Sequence, residues 1–450
     1  MNKLPPEILS RVFEHRDHES DLVTATHVCQ HWRSTLTSSP SLWACPRFES
    51  SRDIDRTTTY LERSKSATID ISINMGSRQD PEVLRHFAPH ISRTRSVIIQ
   101  GSSGVHTVSS FLLSNPAPTL EFLEIHAHEG PARDLDNFLG QQAPSLRSVI
   151  VLGISPVLEP PFPLPNLTKF HLYLPEAGTL HLNSRSLFQL LSTCPLLRDV
   201  AISVPNKTFQ DVTLDRVISL NSLVQLEYTG YAAGGVLPRL KLPCLQRLEV
   251  SSALPTGQMH NLSHVLPCGG RVLLAEATKM HYSFDNFAHT VDFFGEGTDL
   301  SVTATCSMGG SALVDWFSDQ SWIPFGQIGH LKVEGLCVPT IFSFDPFENL
   351  TIFRLTSWDA QRASGFLRLL HPYPGRGIPC PLFREIRCSC WVHPGQIVRS
   401  VISLVRERDQ AGHRLELVCV FGTPKLDDDL EEELKSHVDE LQVRFVEERT

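Results

Sequence analysis

A short pattern returns along most of this chain: a proline or polar residue, a leucine, then apolar residues alternating with polar ones. It reads Pro118-Thr119-Leu120-Glu121-Phe122-Leu123-Glu124-Ile125, and again Pro144-Ser145-Leu146-Arg147-Ser148-Val149-Ile150-Val151. It returns as Pro165-Asn166-Leu167-Thr168-Lys169-Phe170-His171-Leu172 and as Pro195-Leu196-Leu197-Arg198-Asp199-Val200-Ala201-Ile202. Leu223, Leu226 and Tyr228, then Leu245, Leu248 and Val250, continue it, with weaker copies at 350–355 and 383–388. The first inward strand position falls at Ile71, Val97, Leu123, Val149, Phe170, Val200, Leu226 and Leu248, so the intervals are 26, 26, 26, 21, 30, 26 and 22 residues. Alternation makes each copy a short strand with one apolar face. A unit of this size cannot bury that face alone, so the copies must stack on one another.

The interval lies within the ~20–29 residues of leucine-rich repeats. The asparagine ladder of strict repeats is mostly absent, so the units are LRR-like. Helical segments are expected between strands at 81–87, 135–139 and 186–191. The predicted fold is α/β: a helical N-terminal domain, then a curved LRR-like solenoid with a parallel sheet and return helices. Residues 254–330 are irregular; strands are expected at 272–275, 291–294 and 300–303 without the repeat leucine. A helix at 313–317 and a strand at 330–333 come next. The chain should close with a helix at 397–406, a strand at 414–420, an acidic helix at 426–438 and a strand at 441–446. In this register Glu124, His126, His171, Tyr173, Glu227 and Glu249 face the concave side, where polar and aromatic groups suit recognition of a protein target.

The first 45 residues read differently. Leu4 to Phe13 suits a helix: proline is tolerated in a first turn, and Glu7 complements the positive end of the helix dipole. A polar break at 15–19 precedes Ser20 or Asp21, either able to cap a second helical run. Leu22, Ala25, Val28, Cys29, Trp32 and Leu36 recur there at three- and four-residue spacing, and Pro40 ends the run. Two or three short helices with such large apolar side chains cannot bury them all alone.

Leu4-Pro5-Pro6-Glu7-Ile8-Leu9, Val28-Cys29-Gln30-His31-Trp32-Arg33 and Ser39-Pro40-Ser41-Leu42-Trp43, in that order and spacing, resemble an F-box. Residues 1–46 are therefore read as an F-box-like domain and 47–450 as the repeat domain. The segment from Tyr60 to Ile73 resembles the stretch directly after the F-box in fungal F-box proteins with LRR-like C-terminal regions. The resemblance implies that Leu4, Pro5, Ile8, Val28, Cys29 and Trp32 meet the small adaptor subunit of cullin-RING ubiquitin ligases. It also implies a non-catalytic substrate receptor, with the solenoid holding an unidentified protein target. An adaptor-binding scaffold without ubiquitination is the alternative. Leu9, Val12 and Phe13 are expected to hold the helices together.

Composition narrows the partners. A formal charge of −9 over 450 residues offers no general cationic face, so neither nucleic acid nor an anionic membrane is expected. No apolar run reaches the ~18 residues of a membrane span, and the N-terminus lacks the apolar core of a signal peptide. Eleven scattered cysteines fit a reducing compartment. An intracellular protein, cytoplasmic or nuclear, is the expectation. No P-loop, dinucleotide fingerprint, HExxH or GxSxG occurs, so no catalytic residue and no cofactor are expected. Cys380, Cys388, Cys390 and His393, with His371 near them, are the one set resembling zinc ligands in type. They carry the minor alternative of a metal-binding or enzymatic protein with a site in 254–395. They lack a CxxC knuckle, and ordinary strand packing explains them as well.

Overall fold

The computed structural model describes residues 4–14, 19–50, 53–75, 82–102, 105, 109, 115–127, 134–138, 143–158, 164–174, 184–204, 217–231, 237–253, 267–268, 277–284, 288–295, 298–305, 325–335, 344–357, 359–373, 377–390, 394–423 and 428–445. The chain divides into two compact units, Met1–Leu223 and Val224–Thr450.

The first unit opens with three short helices, α1 (Pro6–Glu14), α2 (Glu19–Ala25) and α3 (Gln30–Thr37), followed by a 3-10 turn at Pro40–Trp43 and helix α4 (Ile54–Arg63). Its sheet contains β1 (Arg47–Phe48), β2 (Ile69–Met75), β3 (Thr94–Gly101), β4 (Phe122–Ala127), β5 (Ser148–Leu152), β6 (Lys169–Tyr173) and β7 (Asp199–Val204). They lie side by side in chain order, every neighbouring pair parallel. Helices α5 (Glu82–Phe87) and α6 (Ser184–Thr193) lie in the connections before β3 and β7.

The repeat is visible as register. Ile71, Val97, Leu123, Val149, Phe170 and Val200 are direct neighbours across six strands, and all are buried. The repeat leucines Leu120, Leu146, Leu167 and Leu197 are buried beneath them. Each sits in a tight turn, its N–H donating to the carbonyl three residues earlier: Leu120 to Ala117 at 3.1 Å, Leu146 to Ala143 at 3.2 Å, Leu167 to Leu164 at 3.2 Å, Leu197 to Cys194 at 3.3 Å. The absent asparagine ladder has a substitute. Thr119 Oγ1 donates to Thr94 O at 2.9 Å, Ser145 Oγ to Pro118 O at 2.7 Å and Asn166 Nδ2 to Pro144 O at 3.1 Å. The residue before the repeat leucine thus ties three of these four turns to the preceding repeat. Gly153 fits only as glycine: its φ is +76°, and a Cβ there would come within 2.0 Å of the Ala127 carbonyl oxygen.

The segment 135–139, expected to be helical, is a strand at Asp134–Phe138 that pairs in parallel with Ser155–Leu158. Two aspartates and an asparagine in so short a run have weak helix propensity, and five residues do not sustain a helix nucleus.

In the second unit the strands are β8 (Gln225–Tyr231), β9 (Arg247–Ala253), β10 (Ala277–Phe284), β11 (Ala288–Gly295), β12 (Thr298–Thr305), β13 (His330–Gly335), β14 (Ile352–Ser357), β15 (Glu385–Cys390), β16 (Leu415–Thr423) and β17 (Val438–Phe445). Leu226 stands directly beside Leu248, as the spacing predicts for this pair. The order then departs from the chain: β9 pairs with β12, β12 with β11, β11 with β10, and β10 with β13. Both pairs made by β11 are antiparallel. Only three residues separate β10 from β11 and two separate β11 from β12, too few for the crossover a parallel pair requires. The sheet is therefore parallel except at β11, and the missing repeat leucines of this stretch mark hairpins in place of stacked turns. The expected strand at 272–275 and helix at 313–317 lie outside the described residues.

From β13 to β17 the strands are again parallel and in chain order, with α7 (Ala360–Arg368), α8 (Pro394–Gln410) and α9 (Asp428–His437) between them. Arg408 on α8 is fully buried. Its Nη1 donates to Leu370 O at 3.1 Å and Pro379 O at 2.9 Å, its Nη2 to Cys380 O at 2.9 Å, and its guanidinium lies over the Phe383 ring at 5.2 Å. Burial lowers its pKa to about 10, which leaves it charged at neutral pH. One side chain thereby satisfies three carbonyls leading into β15.

Two substitutions test this packing. Leu146→Ala should cost about 2–5 kcal/mol as a buried large-to-small change. Ser145→Ala, removing one exposed hydrogen bond, should cost about 0.5–1.5 kcal/mol. Urea unfolding of the two variants beside the parent reads both, and equal losses would contradict the assignment of the leucine to the core.

Candidate functional site

Three surfaces hold the residues singled out by the sequence: the helical N-terminus, the outward sheet faces and the cysteine-rich segment near 380–393. The first is the most completely built. Leu22, Ala25, Leu36, Leu42, Trp43 and Tyr60 form a buried cluster, with Phe13, Val23 and Trp32 packed on it. Trp43 is its centre. The side chain is fully buried, its Nε1–H donates to Leu36 O at 2.8 Å, its ring meets Tyr60 edge-on at 4.9 Å, and the Arg63 guanidinium covers it at 4.4 Å. Tyr60 and Arg63 belong to α4, so the three helices are bolted to the next helix in the chain.

The second helical run is broken into α2 and α3. Cys29 caps α3: its backbone is extended and its sulfur accepts the Trp32 N–H at 3.4 Å. Arg33 Nε donates to Thr26 O at 2.9 Å and holds the corner. Trp32 is half-buried, edge-on to Phe13 with ring centroids 5.5 Å apart, and among the described residues its buried Nε1–H has no acceptor. At the other side of α1, Ser10 and Ser39 share a 3.0 Å hydroxyl contact. His31 Nε2 donates to Leu4 O at 3.2 Å, drawing Leu4 towards the start of α3.

Leu9 is buried and Phe13 half-buried, so both hold the helices together as expected. Val12 does not: it is 57% exposed, in line with Ile8 at 46% and Leu4 at 37%, while Val28 at the α2–α3 corner is 59% exposed. Leu4, Ile8 and Val12 recur every four residues, the spacing of one helix face. That recurrence was legible in the sequence, but only the packing revealed which apolar side chains face outward. Pro5 is exposed beside Leu4 and Cys29 half-buried at its cap.

Residues 1–49 match the F-box-like family. F-box domains generally bind the small adaptor of SCF-type ligases. A search of curated proteins finds no match to this chain. Among the described residues no helix is long and apolar enough to cross a membrane.

On the outward face of the first sheet, Glu124 and His126 share β4, and His171 and Tyr173 share β6. Ile150 and Leu152 of β5 lie between the two pairs, so the structure groups them two by two. His126 Nε2 lies 2.7 Å from Glu124 Oε1. His171 meets Tyr173 edge-on at 6.0 Å, and its Nε2–H donates to Asp199 Oδ1 at 2.9 Å while Lys169 Nζ lies 3.4 Å from Oδ2. Burial would raise the Asp199 pKa, but the hydrogen bond from His171 and the charges of His171 and Lys169 outweigh it and hold the carboxyl below its usual range. In the second unit Glu227 and Glu249 are direct neighbours, like charges side by side, with Arg247 3.7 Å from Glu249.

Of the zinc-like set, Cys380 and Cys388 are the members whose side chains the structure describes; the side chain of Cys390 lies outside it. Cys380 is buried, bonded through its thiol to Phe344 O at 3.5 Å, and burial pushes its pKa up to about 12, so the thiol stays protonated. Cys388 is buried in β15. His371 Nδ1 pairs with Glu407 Oε2 at 2.7 Å. His393 lies outside the described residues. Among the described residues no three metal-ligating groups converge.

Two measurements test this geometry. Trp32→Phe keeps the aromatic contact and removes a buried donor without acceptor, so thermal stability should hold or rise by about 1 kcal/mol; a loss above that would mean the indole N–H has a partner. Asp199 has a folded pKa below its unfolded value, so its contribution is complete above the unfolded value near 4 and fades as pH falls through the folded one. The stability gap between the parent and Asp199→Asn should therefore be present at pH 6 and shrink on acidification below about pH 4. Urea midpoints at pH 6 and pH 3 compare the two.

Proposed function

We propose that this chain is the substrate-receptor subunit of an SCF-type cullin-RING ubiquitin ligase. The observation that carries the reading is the row of exposed apolar side chains, Leu4, Ile8, Val12 and Val28, on a segment matching the F-box-like family. Water-exposed apolar groups at this spacing are a docking surface in need of a partner, and the family supplies its kind. Leu4, Pro5, Ile8 and Val28 contact the adaptor directly; Cys29 and Trp32 shape the α2–α3 corner that presents them.

In this reading the in-register parallel strands are a curved LRR-like solenoid of the kind found after the F-box in fungal proteins. The target lies against the outward residues Glu124, His126, His171, Tyr173, Glu227 and Glu249. The chain does no bond chemistry. Its contribution is tethering, which raises the concentration of the target beside the ubiquitin-loaded enzyme. The cluster of Trp43, Tyr60 and Arg63 has a role in this: a target held by the sheet is only useful if the segment bound to the adaptor is rigidly joined to the helix and strands beyond it.

Binding of the purified full-length chain to the small adaptor subunit, measured by calorimetry, tests the reading. Ile8→Asp and Val28→Asp, both exposed and tolerant of charge in the free protein, should weaken binding at least tenfold, about 1.4 kcal/mol, with unchanged circular dichroism. A folded parent that does not bind the adaptor would end the ligase reading.

A further inference from the structure

One row of side chains on the outward face of the second unit is segregated by charge. Lys332 on β13, Arg354 on β14 and Arg387 on β15 are direct register neighbours. Strands lie ~4.8 Å apart, so three cations stand side by side. The outer two are neutralised within their own strands: Lys332 Nζ lies 2.5 Å from Glu334 Oε2, and Arg387 pairs with Glu385. The middle one is different. Among the described residues Arg354 has no hydrogen bond or ion pair, although it is half-buried.

Two residues further along the same strands, Thr356 and Ser389 are again neighbours, their hydroxyls 3.1 Å apart. A bare guanidinium beside paired hydroxyls, flanked by two more cations, is an arrangement for an oxyanion. The field there is positive: burial lowers the pKa of His330 on β13, and Arg354 and Lys279 lower it further. The positive field is also small. Glu334 and Glu385 border it, and the same row continues through His281, Asp292 and Ser301 to Glu249 and Glu227. A nucleic acid would carry its charges onto those carboxylates and be repelled. A single anionic side chain would not.

We propose that the sheet face around Arg354 binds one acidic or phosphorylated side chain of a protein partner, presented on an extended segment. Arg354 contacts the anion in bidentate fashion between Lys332 and Arg387, each already paired with a glutamate of its own strand, and Thr356, whose hydroxyl oxygen accepts from Ser389 Oγ, donates one hydroxyl hydrogen bond. This gives a chemical class to the target of the receptor reading and rests on that reading only for the partner's being a target. The test leaves the adaptor out, so each can fail separately.

Full-length protein is presented with nonapeptide libraries of random flanks whose central residue is phosphoserine, glutamate, serine or lysine. The phosphoserine and glutamate libraries should be retained about tenfold over serine and lysine, and their ratio tells phosphate from carboxylate. Arg354→Gln should abolish the preference, Arg354→Lys should keep part of it, and Arg399→Gln, a cation elsewhere on α8, should leave it intact. Arg354→Gln removes a charge between like charges, so thermal unfolding should show no loss of stability. Absence of any preference for anionic libraries, or a preference that survives Arg354→Gln, overturns the proposal. Tighter retention of a single-stranded oligonucleotide than of the phosphoserine library would overturn it in favour of nucleic acid.

Discussion

Everything in the first unit hangs on one repeated contact: a buried leucine, held in a tight turn, beneath an apolar strand residue that neighbours its counterparts on both sides. Leu146 under Val149 and Leu167 under Phe170 are two instances. Each strand brings two or three inward side chains, too little to repay the entropy of ordering the loops between strands. Stacking six such rows in register makes the core continuous. The hydroxyls and amide of Thr119, Ser145 and Asn166 add a polar version of the same contact at the surface, one repeat reaching back to the last.

That arrangement decides what the two sheet faces are for. Inward positions are committed to packing, so any variation in chemistry is confined to the outward positions. These carry His171 with Asp199, Glu227 beside Glu249, and the cations around Arg354. A parallel sheet in register turns residues distant in sequence into rows at strand spacing, and charge segregation along such a row becomes a surface property. At the N-terminus the logic is inverted: a segment too small for a core of its own lends Trp43 to Tyr60 and Arg63 of the next helix, and leaves Leu4, Ile8, Val12 and Val28 outside.

Where the sequence pattern misleads, local competition is the cause. Residues 135–139 look like a helical return segment but form a strand, because pairing with 155–158 outweighs a weak propensity. Of the two or three helices open to the N-terminal segment the structure takes three, because Cys29 turns the backbone extended and caps the last. The stretch 277–305 carries strand composition with no repeat leucine, because connections of three and two residues make hairpins that run antiparallel in place of stacked turns. Arg408 gives no signal of its role, as a lone arginine in an amphipathic helix carries no sign that three carbonyls await it.

The sequence by itself determined the repeat, its register and the F-box-like start, because each of these is written in spacing: alternation of two for the strands, four for the α1 face, about twenty-six for the stack. Spacing is a one-dimensional quantity, and the chain carries it directly. Only the tertiary structure decided which outward residues become neighbours, which buried polar groups find partners and which cation has none among the described residues. Those depend on strand order and on the reach of side chains across elements, and no single segment contains that information.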